Sequence, residues 1–467
     1  MTAPIPLRMS NLDAIHVRGV PVPCYDRSAL VPRILHVGVG GFHRAHMALY
    51  TDDIAADGSD WGICGVGLLG ADRRMADVLR GQDHLYTLIE RDSDGSRPRI
   101  VGSIVDYVLA TGDAPAFSAR VADPELAVLS LTITEGGYRV TDGNPTIETI
   151  VHALDARRAS GAPALTILSC DNLPGNGDVA REAIVTLAER RGPDLARYLE
   201  GSTFPNSMVD RITPQTHDVD RAWLREETGV DDGWPVVCET FRQWVIEDRF
   251  AAGRPPWEDA GVLFTDRVHE WELYKLRMLN ASHSCMAYLM ALAGVVYVDE
   301  AVAIPFVHRY LQRLLATEAI PTLAEIPGYP PTDYAETVLA RFANTGVRDQ
   351  IARLCIDGTA KFPSFLIPTV EAQIARGGPL ACAALALAGW ARYLGTVPPR
   401  LRAPDSHGDR AVQLAVRSLT EPLAFLELDE VFTPRLRESE RFRHAFSKAT
   451  ADVARRGPLG AIETVLA

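Results

Sequence analysis

The 467-residue sequence has no apolar run of the ~18 residues that a membrane-spanning helix needs. Its first segment, MTAPIPLRMSNLDAIHVRG, lacks the basic start and the continuous apolar core of a secretory signal. We therefore expect a cytoplasmic protein that has no membrane partner.

The cysteines are few and scattered. There are seven, at positions 24, 64, 170, 238, 285, 355 and 382, and no two form a CxxC pair. An odd, dispersed set without an export signal argues against a disulfide framework. No cysteines or histidines stand at the usual spacing of zinc ligands, and the nearest pair, His43 and His46, follows a glycine turn that has another interpretation. We predict that the protein binds no metal.

Positive charge is also in short supply. The chain has 47 Lys and Arg against 60 Asp and Glu, a net charge of -13, and its arginines form no basic stripe. Such a chain repels phosphate backbones, which argues against nucleic acid as a partner. The 47% hydrophobic content is that of a globular protein. Small-molecule chemistry is therefore favoured.

Strand-like runs rich in β-branched residues alternate with helical segments in the first part of the chain, as is typical of a parallel, doubly wound sheet. The runs are RILHVGVGG, WGICGVGLLG, LAVLSLTITEGG and ALTILSCDNL. After residue 266 long helical segments take over, at 270–296, 299–317, 335–345, 366–376, 379–394 and 409–418. The length suggests two large domains. We predict an α/β, Rossmann-like domain over residues 1–268 and a mainly α-helical domain over 269–467.

A glycine turn follows the first strand-like run. Gly38 and Gly40 stand directly after the strand and at the start of a helix. Glycine there permits a tight turn and lets the backbone approach a pyrophosphate. The third glycine of the G-x-G-x-x-G fingerprint is replaced by His43. A GxG alone is a weak indication of a dinucleotide site, because many strand-to-helix turns contain one.

Two carboxylates follow later strands. Asp72 comes after the second strand-like run, where a carboxylate would bind the adenosine ribose hydroxyls of NAD. Arg73 and Arg74 could instead neutralise a 2′-phosphate, so NADP stays open, and Asp72 also suits the cap of a helix beginning near Arg73. Glu135, in TITEGG, would border the nicotinamide if it lies at the same sheet edge, or else it is a solvated loop glutamate.

A long apolar helix, EWELYKLRMLNASHSCMAYLM (270–290), carries Lys275, Asn280 and His283. At about 100° per residue, His283 stands about 80° and Asn280 about 140° from Lys275, so all three are expected on one side. Burial lowers a lysine's pKa towards that of a general base, and an amide can hold an oxyanion. The set suits oxidation of a secondary alcohol, with His283 positioning substrate or taking part in proton transfer.

A structural interpretation accounts for the same three residues. Lys275 would extend to the surface, Asn280 would bond locally and His283 would be a satisfied interior histidine. The pattern of this helix, taken alone, favours that interpretation.

Six motifs in fixed order bear on this choice. They are GVGGFHRAH (38–46), SLTITEGGY (130–138), SCDNLP.NG (169–177), FPN.MVDRITP (204–214), the set Lys275, Asn280 and His283, and DG..KFP (357–363). Together they closely resemble the polyol-specific long-chain dehydrogenases, the mannitol dehydrogenase family, over nearly the whole chain. Six ordered motifs make coincidence remote, so the resemblance outweighs the structural interpretation of the helix.

The resemblance implies a metal-independent, NAD-dependent oxidoreductase that interconverts a polyol and a ketose and acts as a monomer. Lys275 would be the general acid/base, Asn172 and Asn280 the oxyanion hole, and Glu272 a gate for protons between the lysine and solvent. The residues implied to hold substrate hydroxyls are His283, Asp210, Arg353 and Lys361. Those implied at the cofactor are Gly38, Gly40, Gly41, Phe42, Arg44, Asp72 and Glu135.

One position departs from the family pattern. NAD-selective members carry two adjacent acidic residues after the second strand, and here the first is Ala71, which leaves only Asp72. Fewer negative charges repel a 2′-phosphate less strongly, so we expect NAD as the preferred cofactor and NADP as a weaker one.

The substrate hypotheses follow from the resemblance. The first is interconversion of D-mannitol and D-fructose, with D-arabinitol or sorbitol as related substrates. The second is a hexuronate oxidoreductase acting on fructuronate or tagaturonate, whose carboxylate Arg353 with Lys361 could bind. From another class, a non-catalytic dinucleotide-sensing protein remains, although the presence of Lys275 and both asparagines argues against it.

Overall fold

The structure, a computed structural model, describes residues 3–111, 114–140, 144–405 and 407–467. Its chain divides into two compact units, Met1–His269 and Glu270–Ala467. Within the described ranges, no helix combines the length and the apolarity needed to cross a membrane.

The strands of the described residues all lie in the N-terminal unit. Strands β1 to β13 are Ile5–Pro6, Val31–Val37, Trp61–Gly67, Tyr86–Asp92, Gly95–Val101, Ile104–Leu109, Val128–Leu131, Thr166–Ser169, Ser207–Asp210, Val230–Asp231, Val236–Glu239, Gln243–Ile246 and Leu263–Phe264. The central sheet has five parallel strands in the order β6-β3-β2-β7-β8. Strand order reverses beside β2, which is where ligands bind in sheets of this kind.

Helices cover both faces of this sheet, as a doubly wound fold requires. Alternate residues of β2, Ile34 and Leu35, belong to two separate hydrophobic clusters, and the same holds for Ile63 and Cys64 of β3. A strand buried on both faces reads as a continuous apolar run, which is why the sequence pattern identified it. The predicted Rossmann-like fold is confirmed.

The helices of the N-terminal unit begin and end at the expected kinds of residue. Asn144 accepts a hydrogen bond from the Thr146 amide at the start of α7, and Gly161, with φ 76°, ends it. Helices α1 to α10 are Leu12–Val17, Gly41–Ala45, Met47–Ala56, Arg73–Gly81, Ala114–Val121, Thr134–Gly137, Pro145–Ser160, Asn176–Arg191, Pro193–Leu199 and Asp218–Thr228.

Three smaller sheets accompany the central one, in the orders β1-β10, β11-β4-β5 and β13-β12-β9. The sequence pattern did not indicate them. Their strands are short or only partly apolar, and the antiparallel pairs β4-β5 and β12-β9 are defined by pairing between strands and not by hydrophobic periodicity.

The C-terminal unit is mainly helical, as predicted. Helix α11 begins at Val268, just before the boundary of the unit, and the described residues after it contain no strand longer than an isolated bridge. Helices α11 to α22 are Val268–Tyr274, Ala281–Ala293, Val298–Val302, Pro305–Arg313, Pro331–Phe342, Ile351–Leu354, Gly358–Phe365, Ile367–Arg376, Ala381–Thr396, Gly408–Arg417, Pro434–Glu438 and Glu440–Leu466.

The single helix predicted over 299–317 is wrong. Helix α13 ends at Val302, α14 begins at Pro305, and residues Leu314–Ala319 continue as a π-helix. Proline lacks an amide hydrogen, so it suits the first turn of a helix and cannot extend the preceding one.

Two histidines are fully buried among the strands of the N-terminal unit. The ring nitrogens of His36 lie 2.8 Å from Ser130 Oγ and 3.0 Å from Thr132 Oγ1, and His46 Nε2 lies 3.0 Å from the Gln243 carbonyl oxygen. Burial lowers the pKa of His36 and of His46 to about 3. Both imidazoles are therefore neutral in the folded protein at neutral pH.

These two histidines make the folded state sensitive to acid. Below a pH of about 6.5 the unfolded chain binds protons that folded His36 and His46 do not, so stability is lost as pH falls from there towards 3. Each histidine contributes up to about 1.4 kcal/mol per pH unit to the slope of the free energy of unfolding against pH.

We expect His46→Gln to reduce this slope between pH 6 and 5 by about that amount, measured by urea unfolding. The exposed-site control, His444→Gln, should leave the slope unchanged. Equal slopes in both variants would contradict the prediction.

Candidate active site

The glycine turn after β2 is shaped by a close approach of two backbones. Gly38 has φ 95°, and a Cβ on it would lie 2.1 Å from the Thr132 carbonyl oxygen. A side chain is therefore excluded at this position on two grounds. At Gly40, by contrast, a Cβ would meet nothing nearer than an oxygen 3.9 Å away. The backbone at Gly40, just before α2 begins, is open to a ligand, as a pyrophosphate cradle requires.

His43, at the third glycine position of the fingerprint, is buried under this turn. Its ring stacks on His36, with centroids 3.5 Å apart and planes 11° apart. A third glycine normally allows close packing of helix on strand, and here two flat rings occupy that space instead. Burial holds the pKa of His43 well below its usual range, and the neighbouring His36 adds to the effect. Phe42 is half-buried and packs against the core.

Arg44 faces inwards. Its side chain is almost fully buried, with Nη1 donating to the Trp234 carbonyl and Nε donating to the Gly40 carbonyl at 3.3 Å. The guanidinium carbon also lies 5.3 Å from the centre of the Tyr86 ring. These contacts hold the glycine turn from the side that faces the protein interior.

Asp72 lies just beyond the carboxyl end of β3. Its Oδ2 accepts a hydrogen bond from the Leu69 amide at 2.8 Å, and its side chain makes no bond to the first amides of α4. The expected cap of the helix is therefore not formed, because the carboxylate closes the preceding turn instead. A Cβ on Gly67 would lie 2.5 Å from Asp72 Cβ, so glycine there makes room for the carboxylate.

A shallow open pocket lies beside Asp72. Its lining residues are Gly70, Ala71, Arg73, Arg74, Asp77 and Val78. The Arg74 guanidinium stacks on the Trp234 ring, 4.6 Å from its centre, and Arg73 is exposed. Two cations, Arg73 and Arg74, therefore stand near Asp72, in a pocket that Asp77 also lines.

The next two strand ends carry Glu135 and Asn172. Both residues are exposed, Glu135 in the short helix α6 after β7 and Asn172 in the turn after β8. Because β7 and β8 are parallel neighbours, their carboxyl ends meet at the edge that also holds the glycine turn and Asp72. Asp210 is buried at the end of β9, in a different sheet.

The helix that carries Lys275 is not a regular α-helix. Between α11 and α12, Lys275–Asn280 form a π-helix, and the Ala281 amide bonds to the Leu276 carbonyl five residues earlier. The angle expected for Asn280 from regular α winding is therefore wrong. With one more residue in the turn, residues five apart come onto one face, so Asn280 turns towards the Lys275 face. His283 lies in the regular α-helix α12 that follows.

Lys275 is only 8% exposed, which does not fit the alternative in which its amine extends to the surface. Glu272, one turn earlier on α11, is also buried. The His283 ring stacks on Phe342, with centroids 4.1 Å apart and planes 19° apart. Arg277, inside the π-helix, donates from Nη1 to the Thr322 carbonyl at 3.0 Å. That bond ties the turn to the rest of the unit.

Arg353 and Lys361 come from helices α16 and α17, which pack against α12. Arg353 binds Asp349 through two nitrogens, with Nε 2.7 Å from Oδ1 and Nη2 2.5 Å from Oδ2. Lys361 Nζ donates to the Leu354 carbonyl at 3.2 Å. Burial lowers the pKa of Lys361, and the charge of Arg353 lowers it further.

The structure thus groups the expected residues within each unit. In the N-terminal unit the glycine turn, Asp72, Glu135 and Asn172 share one sheet edge. In the C-terminal unit one interrupted helix carries Glu272, Lys275, Asn280 and His283, and the segments bearing Arg353 and Lys361 pack on it. Among the described residues, no group of three or more His, Cys, Asp or Glu could hold a metal ion.

Sequence reasoning missed Asp171, although the motif SCDN contains it. This buried carboxylate accepts hydrogen bonds from the amides of Ile133 and Thr134. The available signal was an acidic residue directly after an apolar strand, but its partners lie on another strand end and are not visible in the sequence.

Two family models match the chain. The mannitol dehydrogenase Rossmann domain matches residues 32–259, and the mannitol dehydrogenase C-terminal domain matches residues 267–454. Among curated proteins, mannitol 2-dehydrogenase of Phaeosphaeria nodorum is 39% identical, covering 97% of this chain and 85% of that protein. Mannitol 2-dehydrogenase of Aspergillus terreus is 38% identical, covering 97% of this chain and 98% of that protein.

A solved structure is similar over almost the whole chain. It is the ternary complex of Pseudomonas fluorescens mannitol 2-dehydrogenase with NAD and D-mannitol. The TM-score is 0.88 at 39% identity, and 99% of each chain is covered. A substrate-free D-sorbitol dehydrogenase is similar with a TM-score of 0.89 at 34% identity, covering 98% of this chain and 100% of that one.

The two glycines of the turn should respond differently to alanine. Gly38→Ala introduces a Cβ against the Thr132 carbonyl in a left-handed conformation, so we expect the free energy of unfolding to fall by about 3 kcal/mol or more. Gly40→Ala is the matched control, because it has a negative φ and open space. Urea unfolding of both variants checks the prediction, and equal stabilities would contradict it.

Proposed function

The chain belongs to the mannitol dehydrogenase family, and from that premise we propose that this oxidoreductase oxidises D-mannitol to D-fructose with NAD. Similarity to an enzyme whose structure holds NAD and D-mannitol supports the substrate and the cofactor. We also propose D-arabinitol and sorbitol as related substrates. Residues 1–268 would form the dinucleotide-binding domain and 269–467 the substrate domain of a monomer.

The observation that carries the proposal is the buried Lys275 at the start of a π-helix that ends with Asn280. Burial disfavours an ammonium ion, so a lysine there can accept a proton near neutral pH. In the proposed reaction Lys275 takes the proton of the reacting hydroxyl. The amides of Asn172 and Asn280 donate hydrogen bonds to the oxygen on which negative charge develops.

The glycine turn would hold NAD, which would supply the acceptor for the hydride from the carbon that bears this oxygen. The open backbone at Gly40 would face its pyrophosphate, and Gly38 gives the turn its shape. Asp72 would bind the adenosine ribose. Arg44 would act through its bond to the Gly40 carbonyl. Phe42 and Glu135, which border the turn and the neighbouring strand end, would complete the cofactor site.

The remaining residues have supporting roles in this proposal. Glu272 lies one helical turn before Lys275 and would pass its proton to solvent. The polar groups of Asp210, His283, Arg353 and Lys361 would hold the other hydroxyls of the substrate. No step of this scheme requires a metal.

The charge around Arg353 favours a polyol over a hexuronate. Asp349 binds the Arg353 guanidinium through both oxygens, which neutralises most of its charge. Burial and the charge of Arg353 lower the pKa of Lys361, which disfavours its charged form. A carboxylate substrate would need an uncompensated cation, whereas hydroxyl groups are bound well by a neutralised pair.

Lys275→Met tests the assigned base. We expect kcat for D-mannitol oxidation to fall by roughly 10²–10⁴-fold, because the methionine side chain cannot accept a proton. Lys448→Met, at a lysine whose side chain is 56% exposed, is the matched control and should leave kcat unchanged.

Initial rates with D-mannitol, D-arabinitol, sorbitol, fructose and fructuronate define the substrate. A Lys275→Met enzyme with near-normal turnover at its pH optimum would disprove the assignment, and preference for fructuronate would favour the hexuronate alternative.

Ala71→Glu tests the cofactor preference. A second carboxylate beside Asp72 would repel a 2′-phosphate, so kcat/KM with NADP should fall at least about tenfold, a cost of about 1.4 kcal/mol. The value with NAD should change little. Ala252→Glu, which adds the same charge at an exposed alanine outside this pocket, is the control and should leave both values unchanged. If the ratio of kcat/KM with NAD to kcat/KM with NADP does not rise in Ala71→Glu, the proposed effect of Ala71 is wrong.

A further inference from the structure

Asp171 is a buried carboxylate that the proposed reaction does not use. It is 8% exposed, and no lysine, arginine or histidine of the described chain forms an ion pair with it. Its oxygens accept three hydrogen bonds. Oδ2 lies 3.0 Å from the Ile133 amide and 2.7 Å from the Tyr138 hydroxyl, and Oδ1 lies 2.9 Å from the Thr134 amide.

The loop bound by this carboxylate has a strained backbone. Thr134 has φ 61°, which is a rare conformation for a β-branched residue. Thr134 and Ile133, whose amides both donate to Asp171, directly precede Glu135. A strained conformation persists only where its surroundings fix it. The two amide bonds to Asp171 constrain the strained residue and the one before it, and Asn144 Nδ2 binds the carbonyls of Gly136 and Gly137 further along the loop.

The main chain of Asp171 fixes a second loop. Its carbonyl oxygen accepts hydrogen bonds from the Leu173 amide and from Asn176 Nδ2, both at 2.9 Å. Asn176 is itself buried and exchanges hydrogen bonds with the backbone of Ser207, at 2.8 and 2.9 Å. Asn172 lies inside the turn that these bonds close.

We propose that Asp171 is a positioning residue that sets the loop bearing Glu135 and the turn bearing Asn172 relative to each other. The inference rests on the proposed function, in which Glu135 borders the cofactor and Asn172 donates to the substrate oxygen. The side chain of Asp171 binds the loop after β7, and its main chain binds the turn after β8. The positions of Glu135 and Asn172 are therefore coupled through a single residue.

A carboxylate suits this role better than an amide of the same shape. Three donors converge on Asp171, and an ionised carboxylate is an acceptor at both oxygens. Asparagine would turn an NH₂ group towards one of these donors and leave a main-chain amide of Ile133 or Thr134 without this acceptor. The three hydrogen bonds also oppose the effect of burial, which raises the pKa of Asp171.

The first test compares Asp171→Asn with Tyr138→Phe. We expect Asp171→Asn to lower kcat for D-mannitol at least tenfold and to raise the dissociation constant of NADH at least fivefold, with KM for D-mannitol changed less than threefold. Tyr138→Phe removes the hydroxyl's bonds to Asp171 and to Ser169 but keeps both amide bonds to Asp171, so kcat should stay within threefold of wild type. Both variants lose stability, which urea unfolding measures separately.

The second test is a rescue. Glycine adopts a positive φ without strain, so adding Thr134→Gly to Asp171→Asn should restore kcat at least threefold. His84 also has a positive φ, of 63°, and lies outside this network. Adding His84→Gly to Asp171→Asn is therefore the control for general stabilisation and should restore nothing.

The outcomes separate this inference from the proposed function. If wild-type protein oxidises polyols but Asp171→Asn keeps normal kcat and NADH affinity, the positioning role is disproved and the function stands. Equal losses in Asp171→Asn and Tyr138→Phe, or equal rescue by both glycines, would also overturn the role. If wild-type protein oxidises no polyol, the proposed function fails, and the NADH dissociation constants of the same variants still decide on Asp171.

Discussion

The close approach of Gly38 to Thr132 is the constraint on which the N-terminal unit's sheet edge depends. Because no side chain intervenes, the Thr132 hydroxyl donates to the Gly38 carbonyl at 2.7 Å. His36 bonds to the same hydroxyl from within the sheet. The turn after β2 and the loop after β7 are thereby fixed against each other, and the open backbone at Gly40 follows from that arrangement.

In the C-terminal unit the amine of Lys275 is buried in an apolar helix. Burial disfavours an ammonium ion, and the base role that we propose for Lys275 rests on this effect. The π-helix then turns the amide of Asn280 towards the same face. Such turns are rare and frequently lie at functional sites, and here the bond from Arg277 to Thr322 helps to hold the turn in place.

Prediction from sequence succeeded where burial alone decides the structure. The strands β2, β3, β7 and β8 are continuous apolar runs because helices cover both faces of their sheet, and such runs are visible in the sequence. Prediction failed where contacts between residues distant in sequence determine the local structure. The π-helix, the small sheets and the inward direction of Arg44 each depend on neighbours that a local pattern does not specify. The break before Pro305 is different, because the proline itself marks it in the sequence.

The sequence by itself determined the doubly wound sheet, the helical character of the second unit, the family and the residue types of its motifs, because periodicity and motif order are local properties. Only the tertiary structure decided how those residues face one another. It placed Asn280 with Lys275 through an extra residue in one turn, paired Arg353 with Asp349, and brought Asp171 under the amides of Ile133 and Thr134. Hydrogen bonds between distant segments are set by how the backbone packs, and that packing is a property of the whole fold.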